Sequence, residues 1–134
     1  MNRSRASLCC LLLTLLFLAA CRSPRSFEGI RLSQGDWNIG TIPDTKKRTL
    51  RLSIANESGM NKRLSILATC PCLLVEKSPV ELSPGEKFVE SIMFDPSSGP
   101  GPINVMLAFL TDAADSKGYL FRVYGSVSDT HNKR

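Results

Sequence analysis

The chain reads as an all-β protein, an antiparallel β-sandwich of about seven strands. Three observations predict this class. Apolar and polar residues alternate in short runs. Clusters of Pro, Gly, Asn and Asp break those runs at intervals of about 8–12 residues. No long segment carries the 3.6-residue period of an amphipathic helix, and prolines and glycines interrupt throughout.

Each strand follows from the same period of two. Asp36 to Ile42 places Trp37, Ile39 and Thr41 on one face, and Pro43-Asp44 supplies a turn. Thr49 to Asn56 sends Leu50, Leu52 and Ile54 inward and Arg51, Ser53 and Ala55 outward, until Asn56-Glu57-Ser58-Gly59 stops it. Arg63 to Thr69 aligns Leu64, Ile66 and Ala68. A bend at Ser78-Pro79 precedes Val80-Glu81-Leu82, and Ser83-Pro84-Gly85-Glu86 is a turn. Phe88, Ile92 and Phe94 then share a phase, and a Pro, Gly and Ser-rich stretch runs from Asp95 to Pro102. Ile103, Val105, Leu107 and Phe109 alternate without error. After a turn from Thr111 to Lys117, Tyr119, Phe121, Val123, Gly125 and Val127 close the series. Trp37, Phe88, Phe94, Phe109 and Phe121 fall on inward phases and are expected in the core rather than on a ligand platform. Tyr119 and Tyr124 have opposite phases, so one of them is expected to face out.

Ahead of the sandwich lies an export signal. Arg3 and Arg5 form a basic start, Leu8 to Leu18 an apolar run, and Ala19-Ala20 a small-residue cleavage site. The apolar run is about half of the ~20 residues a membrane-spanning helix needs. Leu18-Ala19-Ala20-Cys21 resembles a lipobox, which implies that Cys21 receives a covalent lipid and that cleavage falls just before it. Residues 1–20 are then a lipoprotein signal peptide, 21–29 the lipidated cysteine and a tether, 30–127 the sandwich, and 128–134 a polar tail. Cys9 and Cys10 leave with the signal. Loss of Arg3 and Arg5 leaves 15 basic against 12 acidic side chains, a net charge near +3 spread along the chain. Lys46-Lys47-Arg48, the only basic run, adjoins a turn and reads as a solvated loop, so no nucleic-acid partner is expected. The expected location is the bacterial cell envelope. The absence of Asp at position 22, where Arg22 stands, favours the outer membrane facing the periplasm in a diderm host.

Six pieces in order, from Trp37 to Val127, resemble the bacterial family called domain of unknown function 1573. They are Trp37-Asn38-Ile39-Gly40-Thr41-Ile42, Ile54-Ala55-Asn56, Ala68-Thr69-Cys70-Pro71-Cys72, Leu82-Ser83-Pro84-Gly85-Glu86, Ile92-Met93-Phe94-Asp95, and Thr111-Asp112 with the closing Val123-Tyr124-Gly125-Ser126-Val127. That family is similar in turn to ASPM/SPD-2/hydin and major-sperm-protein domains. The resemblance implies an immunoglobulin-like sandwich in the envelope and no established activity. This chain departs from the pattern at Pro71, where the family has Gly, and at Asp112, where it often has Asn.

Catalytic motifs are missing. The single histidine, His131, lies in the tail, so no Ser-His or Cys-His pair with an ordered base is in prospect. Glycine-rich phosphate loops and G-x-S-x-G elbows are absent. Glu81, Glu86 and Glu90 are expected to face solvent rather than to act as an acid/base pair. Cys70 and Cys72 are the only thiols left after maturation and lipidation, and three readings stay open for them. They bridge each other as a redox-active disulfide; they hold a soft metal such as Cu(I) with help from Met60, Met93 or Met106; or they serve packing or a structural bridge. A four-ligand zinc site is disfavoured by two thiols and one histidine. The leading expectation is a membrane-anchored, non-catalytic interaction or structural module with an envelope protein partner and no cofactor beyond the Cys21 lipid. The alternative is a small thiol-redox or copper-handling protein using Cys70 and Cys72.

Overall fold

Two five-stranded sheets face each other across one apolar core in the computed structural model, which describes residues 23–131. The strands are β1 (Arg25–Phe27), β2 (Ile30–Leu32), β3 (Asp36–Pro43), β4 (Arg48–Asn56), β5 (Lys62–Ala68), β6 (Leu73–Val75), β7 (Val80–Leu82), β8 (Lys87–Phe94), β9 (Gly101–Thr111) and β10 (Tyr119–Ser128). The first sheet has the order β1-β2-β4-β8-β6 and the second β3-β10-β9-β5-β7. Among the described residues there is no α-helix, only a 3₁₀ turn over Pro96–Ser98 capped by the Asp95 side chain. The expected signal segment, the lipobox residues Leu18, Ala19, Ala20 and Cys21, and the last three residues of the tail lie outside the described residues.

All seven alternating runs are strands. The three additional strands, β1, β2 and β6, span three residues each and are not among those runs. The sandwich therefore begins before residue 30: β1 pairs with β2 through Phe27↔Ile30 and Arg25↔Leu32, and Phe27 packs against the core. The chain then changes sheets, since β2 pairs with β4 while β3 pairs with β10. The β3–β10 pair is parallel, the one exception to an otherwise antiparallel pattern.

Inward residues interdigitate between the sheets. Phe94, Phe109 and Phe121 are fully buried with Leu52, Ile54, Ile92 and Leu107, and Phe109 meets Phe121 edge-on at 6.0 Å between centroids. Trp37 and Phe88 are partly buried against this core. Burying each large apolar side chain contributes about 1.5–3 kcal/mol, so alternation sets which face of a strand turns inward wherever no bulge interrupts it.

Four expectations about single residues need correction. Thr41 faces out and pairs its hydroxyl with Ser126 Oγ at 3.0 Å, while Ile42 is buried. The cause is a bulge: the register advances from Tyr124↔Asn38 to Gly125↔Gly40, and Gly40 takes φ +67°. Ala68 is exposed where β5 ends and the chain leaves its sheet. Ala55 is buried although it has an outward phase, because it floors a hollow flanked by Arg31 and Lys87. Glu90 is fully buried, in phase with Ile92 and Phe94.

Candidate functional site

The Cys70-Pro71-Cys72 segment carries the chain from β5 in the second sheet to β6 in the first. Thr69 pins its start. The Thr69 backbone N–H donates to the Met106 carbonyl at 3.0 Å, and the Thr69 hydroxyl donates to the same carbonyl at 2.9 Å. The Met106 N–H returns a bond to that hydroxyl at 3.1 Å. A tight turn follows, closed by the Leu73 N–H on the Cys70 carbonyl at 3.1 Å. The Asp95 N–H then donates to the Cys72 carbonyl at 2.8 Å and fixes the exit.

Within this turn Cys70 and Cys72 are joined by a disulfide. Cys72 is 6% exposed and belongs to the core, Cys70 is half-buried against it, and Pro71 faces solvent. A bridge between residues two apart closes so short a loop that chain entropy contributes only about 1–2 kcal/mol. The double variant Cys70→Ser/Cys72→Ser is therefore expected to fold, with an unfolding free energy lower by about that amount in urea titration. A loss above about 4 kcal/mol would show that the pair is a principal staple of the fold.

The three methionines lie on different parts of the sandwich. Met60 lies in the β4–β5 loop, before β5, whereas the disulfide follows the other end of that strand. Met93 and Met106 stand at outward positions of opposite sheets, since Met93 is paired with Leu74 on β6 and Met106 with Arg122 on β10. Among the described residues, no group of three or more His, Cys, Asp and Glu side chains is placed to hold a metal ion. His131 is exposed beyond β10, and its backbone N–H donates to Asp129 Oδ1 at 2.7 Å.

Two carboxylates hold loops in place. Glu90 Oε1 accepts the Glu76 and Lys77 backbone N–H groups at 2.7 and 2.9 Å, anchoring the segment that returns from β6 to β7. Its Oε2 has no partner among the described residues. Its shared phase with Ile92 and Phe94 was the sequence signal for this buried acid. Glu28, in the β1–β2 turn, accepts the hydroxyls of Thr111 and Ser116 at 2.8 and 2.9 Å and the Lys117 N–H at 2.8 Å. It thereby clamps the β9–β10 loop, a pairing between segments more than 80 residues apart that no local pattern announces.

The Thr111 hydroxyl, first among these donors, holds the Glu28 carboxyl below its ordinary value against a smaller opposing effect of burial. A carboxylate whose folded-state pKa is depressed stabilises the fold above its unfolded-state value. That contribution is lost as pH falls through the folded-state value. Stability should thus decline below about pH 4.5 more steeply in the parent than in Glu28→Gln. Asp95, likewise lowered by Lys47 beside it, is common to both proteins and cancels in the comparison. Parallel acid-dependent slopes in urea unfolding would remove Glu28 from this account.

The outer face of the second sheet is apolar along one cross-strand row. Leu67 on β5 opposes Ala108 on β9, which opposes Leu120 on β10, with Leu110 beside them. Leu67 and Leu120 are 53% and 61% exposed. Charged groups border the row, with Arg63 bridged to Glu81 at 3.5 Å and the Arg122 guanidinium 4.4 Å from the Tyr124 ring centre. Tyr124 is on this outer face and Tyr119 is inward, stacked on Phe27.

No protein-family model matches the chain, and no curated protein matches it either. Solved structures do. The ASH/PapD-like domain 7 of human CEP192 superposes with a TM-score of 0.65 at 10% identity, over 81% of this chain and 94% of that one. A protein of unknown function from Porphyromonas gingivalis gives 0.62 at 20% identity, over 72% of this chain and 46% of that one. WR4, a major-sperm-protein family member of Caenorhabditis elegans, gives 0.54 at 11% identity, over 74% and 99%. These likenesses show the fold alone, an immunoglobulin-like β-sandwich.

Proposed function

We propose that this chain is a bacterial envelope lipoprotein, anchored through a lipid on Cys21, whose sandwich is a non-catalytic interaction module of the domain of unknown function 1573 type. In a diderm host its place is the outer membrane, facing the periplasm. The observation that carries the interaction reading is the exposed Leu67-Ala108-Leu120 row. An exposed apolar row bordered by charged groups is the kind of surface that docks another protein. A sheet edge can also take up an extended partner segment by main-chain pairing, which needs no catalytic group.

The test is made in the native envelope. Palmitate labelling is expected to be present in the parent and lost in Cys21→Ser. A photocrosslinking residue at Leu120 should capture one discrete partner, and Leu67→Glu should abolish that adduct while leaving the unfolding midpoint within about 1 kcal/mol of the parent. Persistent label without Cys21, or no Leu67-dependent adduct, counts against the reading.

A second reading rests on the Cys70–Cys72 bridge beside exposed Pro71. Such a pair, once reduced, offers two thiolates for disulfide exchange or for Cu(I). Thiol titration with and without Cu(I), compared with the Cys70→Ser and Cys72→Ser variants, decides it. Turnover of a thiol–disulfide substrate that both variants lose would replace the non-catalytic reading.

A further inference from the structure

We propose that the outer face of the first sheet lies flat against anionic phospholipid headgroups, leaving the Leu67-Leu120 face turned away from the membrane. This inference rests on the reading that Cys21 carries the lipid.

The first ground is the length of chain available. Pro24 lines an open hollow of about 430 Å³ on this face, together with Arg31, Ser33, Ser53, Ala55, Glu57 and Lys87. Cys21 precedes Pro24 by three residues, and three extended residues reach at most about 11 Å. The anchor point is therefore held close to this hollow. The opposite face lies across a second sheet about 10 Å away, with its own side chains beyond. So short a leash brings the first-sheet face to the bilayer.

Charge agrees. Arg31, Ala55 and Lys87 form one cross-strand row through β2, β4 and β8, and Arg51 stands further along β4 opposite Ser91. Cations thus project from three neighbouring positions, whereas no carboxylate occupies an outward strand position of this sheet. Glu57, at the rim of the hollow, is the single acidic group there, and it is bridged to Arg31 at 3.3 Å. The remaining outward positions are small or apolar. Ser33, Ser53 and Ser91 permit close approach, and Val89 and Leu74 are 42% and 47% exposed. Basic side chains around exposed aliphatics match the interfacial region of an anionic bilayer. The second sheet is different: its apolar row is bordered by Glu81, and Arg122 is engaged with Tyr124.

The experiment uses the mature, lipidated chain reconstituted in vesicles of phosphatidylethanolamine with phosphatidylglycerol. Environment-sensitive probes are placed one at a time, at Val89→Cys and at Leu120→Cys. Mass spectrometry of the Cys21 peptide first establishes acylation; an unmodified Cys21 overturns both the lipoprotein reading and this inference. With acylation present, the Val89 probe is expected to be shielded from an aqueous quencher and the Leu120 probe fully open to it. Replacing phosphatidylglycerol by phosphatidylcholine, or raising salt, should re-expose Val89. Each of Arg31→Gln, Arg51→Gln and Lys87→Gln should weaken docking by about fivefold. Equal exposure of the two probes on acylated, vesicle-bound protein would overturn the inference alone, leaving the anchor intact. Shielding of Val89 that ignores both lipid charge and the three substitutions would overturn it too.

Discussion

Asn56→Ala is expected to lower the unfolding free energy by about 3–4 kcal/mol, among the largest effects of any single truncation in this domain. Asn56 ends β4 and is completely buried. Its Nδ2 group donates to the carbonyls of Met60, Leu82 and Ser83 at 2.8, 3.0 and 3.2 Å. Its Oδ1 accepts the Ser58 N–H at 3.0 Å and the Ser58 hydroxyl at 2.6 Å. One amide therefore joins the β4–β5 loop to the strand and turn that lead into β8. Alanine removes a partner from several part-buried groups at once, and each orphaned group costs about 1–3 kcal/mol. Not all of that is felt, because some of these groups gain access to water. Asn56→Asp should cost at least as much near neutral pH, since an anionic oxygen would replace the donor facing three carbonyls. Urea titration provides the measurement. At a slope near 1–1.5 kcal/mol per molar, the alanine variant should unfold about 2–4 M earlier. A shift below about 0.5 M would mean that water replaces the amide without cost.

Gly125→Ala is the second large expectation, a loss of about 2–4 kcal/mol. Gly125 has φ +153° and faces Gly40 where the parallel β3–β10 pair changes register. A Cβ there would stand 2.5 Å from the Gly40 carbonyl oxygen and 2.5 Å from Ile39 Cγ1. The first of these is backbone and cannot swing aside, so β3 must move off β10 or the fold must strain. Since β3 carries Ile39 and Ile42 into the core, moving it also exposes apolar area. Gly40→Ala separates the two causes. Gly40 has φ +67° but open space around its missing Cβ, so only the left-handed backbone penalty of about 1–2 kcal/mol applies. Equal losses in the two variants, read from unfolding midpoints, would show that steric contact between the paired glycines is not what matters.

These two sites also mark how far the sequence could be read. Asn56 was visible as the end of an alternating run followed by turn residues, but two of its five bonds reach the carbonyls of Leu82 and Ser83, in a segment distant in sequence. Gly125 was visible only as an odd member of a Tyr119-to-Val127 alternation; its need for glycine comes from Gly40, 85 positions earlier. The Cys70-Pro71-Cys72 turn stood out through spacing alone, yet the spacing left free, metal-bound and bridged thiols open. Their joining is a property of the turn that Thr69, Leu73 and Asp95 fix. Glu90 was misread because a charged residue in a strand is ordinarily solvated. Its phase with Ile92 and Phe94 turns it inward, and two backbone N–H groups from the β6–β7 segment offset part of the cost of burying its carboxyl group.

What the sequence by itself determined is seven of the ten strands and, outside the Gly40 bulge, the inward face of each. Side chains on a pleated strand alternate strictly, so Leu52, Ile54, Leu107, Phe109, Phe121 and Val123 announce their burial locally. Only the tertiary structure decided which strands became neighbours. Backbone pairing is blind to side-chain identity, so the change of sheets between β2 and β3, the parallel β3–β10 pair and the Gly40 bulge have no counterpart in the alternation. The two outer faces were decided there as well. Arg31, Lys87 and Arg51 share one face, and Leu67 and Leu120 the other, because the register of β2, β4, β8, β5, β9 and β10 set them side by side.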